Sequence, residues 1–225
     1  MNNQNQKIFC IIPAFNEEAN IARVLDDVKK IINNIIVVDD GSEDKTAEKA
    51  QKKGAIVLRH IINRGQGAAL QTGNDYANKN NADIVVHFDA DGQFLAEEIN
   101  DLIKPITRKE ADVVFGSRFL EKKSNIPFTK KRIIMPIAKT VNKLLAGANL
   151  TDPQSGFRAM NRKTFSSLEI EQDKMAHCSE IIFKTFNNKI PSKEVAITVI
   201  YNDFGQKFSG GIKIFKDLLL GKFID

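Results

Sequence analysis

Ile84-Val85-Val86-His87-Phe88-Asp89-Ala90-Asp91-Gly92-Gln93 is an apolar run that ends in two carboxylates and a glycine turn. The run is short, rich in β-branched residues and closed by a turn signal, so it predicts a strand over 84–89. The same form appears earlier, where Ile35-Ile36-Val37-Val38-Asp39 leads into Asp40-Gly41-Ser42. Strands of this continuous apolar kind belong in a sheet covered on both faces. Further runs at 8–12, 55–58 and 112–116 alternate with helical patterns over 19–31, 44–53, 66–78 and 96–103. Each gap is of the size a right-handed crossover needs, and Ser42 reads as a helix cap before Asp44 and Lys45. The fold class is therefore α/β, with a mostly parallel central sheet flanked by helices.

After Ser117 the rhythm changes. A basic amphipathic stretch over 128–145 carries Ile133, Ile134, Ile137, Val141, Leu144 and Leu145 with lysines between them, and Pro136 interrupts it. A turn-rich segment over 151–158 follows, then a helix near 179–187 and a strand over 194–200. The tail adds Phe204, Phe208, Ile212, Phe215 and Leu219. Basic residues beside an apolar face suit an interfacial helix as well as they suit packing on the sheet or on a second subunit.

Bulk properties bound the rest. The 225 residues are 42% hydrophobic and 27% charged with both signs interspersed, which is enough for one folded domain and argues against disorder. A net charge of +5 and a pI near 9.1 favour anionic partners without choosing among them. Cys10 and Cys178 form no zinc-binding spacing and point to a reducing, cytoplasmic setting. No stretch approaches the roughly 18 apolar residues of a membrane span, so any membrane contact is expected to be peripheral.

Ligands of open α/β sheets bind beyond the carboxyl ends of the strands, where this chain puts Asp39, Asp40, Asp89 and Asp91. Asp and Gly also favour ordinary turns. Two acid pairs ending two strands of one sheet go further than turn chemistry, because clustered carboxylates repel unless a cation or hydrogen-bond donors offset them. Hard oxygen ligands of this kind suit Mg²⁺ or Mn²⁺ bridging a diphosphate, with Gln93 adding a neutral oxygen. Asn63-Arg64-Gly65-Gln66-Gly67 opens a helix, where glycines let backbone N–H groups approach an anion. It is no dinucleotide fingerprint, since it lies after the third strand and Leu70 stands at the third glycine position.

Six segments in order carry a resemblance over nearly the whole chain: Ile12-Pro13-Ala14-Phe15-Asn16-Glu17, Val38-Asp39-Asp40-Gly41-Ser42, Asn63-Arg64-Gly65-Gln66-Gly67, Asp89-Ala90-Asp91-Gly92-Gln93, Gly116-Ser117-Arg118 and Asp152-Pro153-Gln154-Ser155-Gly156-Phe157-Arg158. The sequence resembles family 2 glycosyltransferases of the GT-A fold, in particular the dolichyl- or polyprenyl-phosphate sugar synthase-like branch. The resemblance implies one GT-A domain over 1–225, with a nucleotide-binding half (1–117) and an acceptor-binding half (118–225). It implies an inverting transferase that moves a sugar from a UDP- or GDP-linked donor to a polyprenyl phosphate, without nucleic-acid binding. Pro13, Phe15, Glu17 and Asp39 would line the base and ribose with Asp40 nearby, while Asp89, Asp91 and Gln93 would hold metal and diphosphate. Implied substrate contacts extend to Asn16, Gly67, Ala90 and Ser155.

Arg118 falls where this branch fixes a lipid-linked phosphate with arginine, and its forked donors suit that anion. Arg132, beside Lys130 and Lys131, continues the basic path. Asp152 is the residue most nearly placed to deprotonate or orient an acceptor, which a hydroxyl needs and a phosphate does not. His177 and Glu180, three apart on a helix, form a further pair that can share a face; His60 and His87 are assigned to structure. One departure stands out: related synthases carry an arginine after the last strand, and here Tyr201-Asn202-Asp203-Phe204-Gly205-Gln206-Lys207 offers only Lys207. The competing readings are transfer to a saccharide hydroxyl, a sugar-phosphate nucleotidyltransferase, and a nucleotide-sugar-binding protein without turnover. A nucleotidyltransferase would need a glycine-rich, basic triphosphate loop after the first strand, where this chain has Pro13-Ala14-Phe15-Asn16-Glu17.

Overall fold

The computed structural model describes residues 6–120 and 150–200. In chain order its elements are β1 (Ile8–Ala14), α1 (Ile21–Lys29), β2 (Asn34–Asp39), α2 (Thr46–Lys52), β3 (Ile56–Arg59), α3 (Gln66–Lys79) and β4 (Ile84–His87). A 3₁₀ turn at Ala96–Glu98 leads into α4 (Ile99–Thr107), followed by β5 (Val113–Ser117), β6 (Arg158–Asn161), α5 (Arg162–Ser167), α6 (His177–Asn187) and β7 (Ser192–Ala196). The seven strands form one sheet in the order β3-β2-β1-β4-β6-β5-β7. β6 runs antiparallel to both of its neighbours, and the other pairings are parallel.

Successive residues of a strand face opposite sides of the sheet, and here both sides are covered. Cys10, Ile12, Ile35, Val37, Ile84 and Val86 pack on one face beneath α1 and α4, whose Val24, Leu25, Val28, Leu102 and Ile106 complete that core. Phe9, Ile11, Ile36, Val38 and Val85 pack on the other beneath α3, with Ala69, Leu70 and Ala77. Each fully buried aliphatic side chain contributes about 2 kcal/mol, so a strand buried on both faces is held firmly in register. That rigidity fixes the positions of the residues at the strand ends.

Several expected boundaries move. The fourth strand stops at His87, two residues before Asp89, leaving both acids on the turn beyond it. The helix expected over 96–103 continues through Pro105 to Thr107. Ser42 caps no helix: α2 begins at Thr46, whose N–H donates to Asp44 Oδ1 at 2.9 Å, and Ser42 Oγ instead accepts the Asn16 N–H at 2.9 Å. The last strand covers Ser192–Ala196, with an isolated bridge between Phe94 and Val199 beyond it. β6 and α5 were not expected, and β6 begins at Arg158, the last residue of the segment read as turn-rich.

Among the described residues no helix is long and apolar enough to cross a membrane. The amphipathic stretch over 128–145, the apolar tail, Arg132 and Lys207 lie outside the described residues.

Candidate active site

β1, β2 and β4 run parallel, so their carboxyl ends open on one edge of the sheet. Ala14 and Asp39 are register partners there, and Asp40 N–H donates to Ala14 O at 2.8 Å. The turn after β1 is locked to the turn after β2. Asn16, at a φ of 55°, accepts from Glu43 N–H through Oδ1 at 2.9 Å, and Glu17 N–H donates to Thr46 Oγ1 at 2.8 Å. Pro13 is buried within this frame, whereas Phe15 keeps 45% of its surface exposed and so can cover a flat ligand. Burial, with repulsion from Asp91 and Asp44 against an Asn20 hydrogen bond, raises the Glu17 pKa above the ordinary carboxylate range.

The first acid pair is buried and heavily engaged. Asp39 Oδ1 accepts from Ser42 N–H at 3.0 Å, and Arg59 Nε lies 3.0 Å from Oδ2. Oδ2 is buried with no aligned hydrogen bond among the described residues, and the Arg59 guanidinium is its charge partner. Asp40 accepts from His60 Nδ1 at 2.7 Å, Arg64 N–H at 2.9 Å and Gly65 N–H at 2.6 Å. His60 in turn reaches Thr72 Oγ1 at 2.9 Å, in the structural role expected of it. Asp40 therefore holds the loop before α3.

Several amides of that loop are already engaged. The Arg64 and Gly65 N–H groups go to Asp40, and Ala68 N–H goes to Asp173 O at 3.2 Å, so these amides meet protein acceptors instead of an anion. A side chain on Gly67 would strike Gln172 O and the His177 Cβ. Its glycine is required by close packing of α3 on the 172–173 loop.

The second acid pair is different. Asp89 Oδ1 accepts from Gln66 Nε2 at 2.9 Å, and Asp91 Oδ1 accepts from Gln93 N–H at 2.9 Å. Burial first, then the charges of Asp91 and Cys178, push the Asp89 pKa up to about 7 against the opposing pull of Arg158 and His177. Burial also raises Asp91, against its backbone hydrogen bonds. Gly92, at a φ of 72°, makes the turn between Asp91 and Gln93, and a side chain there would collide with the Arg23 guanidinium. Ala90 points its methyl group into the core, 4% exposed, leaving only its backbone to face a substrate.

Among the described residues no group of three or more His, Cys, Asp or Glu side chains is gathered to hold a metal. Two carboxylates still fit Mg²⁺ or Mn²⁺, because such ions are commonly held by one or two carboxylates and completed by substrate phosphates and water. The crowding of two under-satisfied carboxylates is what a bound cation would relieve.

On the far side of β4, Arg118 donates to Asp152 through Nε at 2.6 Å, Nη2 at 2.7 Å and its backbone N–H at 3.0 Å. Asp152 is 1% exposed, and Glu194 of β7 fixes it by accepting from its N–H at 3.1 Å and from Thr151 N–H at 2.9 Å. As a general base Asp152 is poorly placed, since both of its oxygens are committed to Arg118. Ser155 Oγ is buried without a partner. His177 and Glu180 do not act together: His177 Nδ1 bonds Lys174 O at 2.8 Å, while Glu180 accepts from Glu171 and Gln172 N–H at 3.0 and 2.9 Å and pairs with Lys184.

Glu194 and Gln66 carry no local signal, because their partners Thr151 and Asp89 lie 43 and 23 residues away, and nothing in the sequence marks the side chains of Arg158 and Cys178 as buried. Burial opposes ionisation of Cys178, yet His177 and Arg158 bring its thiol down to about 6.

The model of the family described as glycosyl transferase family 2 matches residues 9–168. A UDP-N-acetylglucosamine–dolichyl-phosphate N-acetylglucosaminyltransferase of Methanococcus voltae is 35% identical, over 97% of this chain and 98% of that protein. A polyprenol monophosphomannose synthase of Mycolicibacterium smegmatis is 28% identical, over 91% of this chain and 82% of its own length. Among solved structures, glucosyl-3-phosphoglycerate synthase from Mycobacterium tuberculosis, in complex with Mn²⁺, UDP and phosphoglyceric acid, superposes with a TM-score of 0.74 at 20% identity, covering 99% of this chain and 80% of that one.

Proposed function

The chain belongs to glycosyl transferase family 2, with the GT-A fold, and from that premise we propose that it transfers a sugar from a nucleoside-diphosphate donor to a polyprenyl phosphate, with inversion at the anomeric carbon. The observation that carries the choice of acceptor is the closed Arg118–Asp152 pair. A hydroxyl acceptor needs a base, and the carboxylate best placed for that work is buried and bound by an arginine fork. A phosphate acceptor arrives ionised and needs an oriented cation, which Asp152 and Glu194 provide by holding Arg118. The names of the Methanococcus voltae and Mycolicibacterium smegmatis relatives support the same acceptor class.

In this reading the turn after β1, with Phe15 exposed and Glu17 beside it, takes the nucleoside, and the buried Asp39 braces that turn from behind. Asp89, Asp91 and Gln93 would hold Mg²⁺ or Mn²⁺ beside the donor diphosphate, and the ion would supply positive charge against the departing nucleoside diphosphate. Arg118 aligns the acceptor phosphate for attack, and Ser155 offers a hydroxyl that no protein group uses. The same reading has the protein work peripherally at the cytoplasmic face of a membrane, where a polyprenyl phosphate would present its head group.

The test is incubation with a panel of UDP- and GDP-sugars, Mn²⁺ or Mg²⁺, and a polyprenyl phosphate. Formation of a glycosylated lipid phosphate with release of nucleoside diphosphate is expected. Transfer confined to saccharide hydroxyls breaks the reading of the acceptor.

A further inference from the structure

Arg158 is the largest side chain fully buried among the described residues, 1% exposed at the start of β6. Its Nη2 donates to Ser155 O at 3.0 Å and to Cys178 Sγ at 3.3 Å, and its Nε donates to Gly156 O at 3.3 Å. None of these partners is a carboxylate, and Nη1 is buried without a partner. A buried guanidinium that meets no carboxylate is expensive, so its presence asks what its charge and its hydrogen bonds accomplish. The answer lies two residues away. A Cβ built on Gly156 would stand 2.9 Å from Asp89 Oδ2 and 3.0 Å from Oδ1, so the Gly156 backbone is the surface on which the Asp89 carboxylate rests. The same backbone is what Arg158 ties down. The pairing of His87 with Arg158 sets this relation, since it places β6 directly beside the strand that leads to Asp89.

We propose that Arg158 is a positioning residue for Asp89: by holding the Ser155 and Gly156 carbonyls it fixes the wall behind that carboxylate, and its buried cation offsets the crowded charges of Asp89 and Asp91 where a divalent ion binds. This rests on the reading of Asp89 and Asp91 as metal ligands.

The experiment titrates the full chain with Mn²⁺ and follows free Mn²⁺ by electron paramagnetic resonance. Arg158→Met is expected to bind Mn²⁺ about tenfold more weakly than the parent, within the range lost when a support behind a metal ligand is removed. Arg158→Lys, which keeps the charge but cannot tie both carbonyls, is expected between the two. Cys178→Ala shortens a buried neighbour of the same guanidinium without touching the wall, and is expected within twofold of the parent. A folded Arg158→Met that loses less than threefold overturns the proposal, as does a Cys178→Ala that loses as much as Arg158→Met. Should Arg158→Met not fold, Arg158→Lys decides alone: a loss above threefold supports the role and a smaller one overturns it. If the parent itself binds no Mn²⁺, the metal reading and this one fall together; if the parent binds and the Arg158 variants match it, only this one falls.

Discussion

Asp39 and Asp40 at the end of β2, and Asp89 and Asp91 beyond β4, carry the same local signature of acids closing an apolar strand, yet the protein treats them oppositely. Asp40 collects two backbone N–H groups and an imidazole, and Asp39 has Ser42 N–H and the Arg59 guanidinium. Asp89 has one amide donor from Gln66, Asp91 has the Gln93 N–H, and both are pushed toward their protonated forms. Hydrogen bonds to the charged form stabilise a carboxylate, and their shortage leaves it needing a cation. The first pair braces the turns around it, and the second is the pair at which we propose a cation.

The contrast breaks most directly at Asp91. Asp91→Ala is expected to lower transfer by about a thousandfold, because a metal-held diphosphate is worth several kcal/mol in the transition state. Full activity of that variant in the presence of a chelator would remove the ion from the mechanism. The opposite arm is Asp40→Asn, which should cost about 2 kcal/mol of stability by spoiling charge-assisted bonds to Arg64 and Gly65, measured by urea unfolding. Its Mn²⁺ affinity should change far less than its stability.

Gly156→Ala sharpens the comparison from the other side. The new methyl group would crowd both oxygens of Asp89, and Mn²⁺ affinity is expected to fall about tenfold by calorimetry while the fold persists. The pH dependence gives a comparable effect without mutation. Asp89 titrates at about 7 and the ion needs its charged form, so Mn²⁺ affinity should rise about tenfold between about pH 6 and about pH 8. The sign for stability is the reverse. A carboxyl raised from 3.8 to about 7 on folding binds an extra proton in the folded state across that window, so metal-free stability falls as pH climbs through it. Asp89→Asn should flatten that slope in thermal melts.

Much of the sheet was legible because its strands are buried on both faces and announce themselves as continuous apolar runs. β6 was not, since Arg158-Ala159-Met160-Asn161 has no β-branched residue and begins with a charge. Its strand character comes entirely from the slot between β4 and β5. The acids at the strand ends could likewise be found by inspection, but their division of labour could not, because Asp40's partners lie 20 to 25 residues away and Asp152's anchor lies 42 away. His177 and Glu180 share helical spacing and nothing else, for each was claimed by a loop that helix geometry does not foresee.

Sequence by itself determined the α/β architecture, the edge of the sheet where ligands bind, and the family, because hydrophobic periodicity and ordered motifs are properties of the chain read locally. Tertiary structure alone decided which carboxylates are satisfied, that Arg118 is clasped by Asp152, and that an antiparallel strand brings Arg158 and Gly156 against Asp89. Those outcomes depend on which donors reach which acceptors across the fold, and hydrogen bonding acts over about 3 Å of space regardless of how many residues separate the partners.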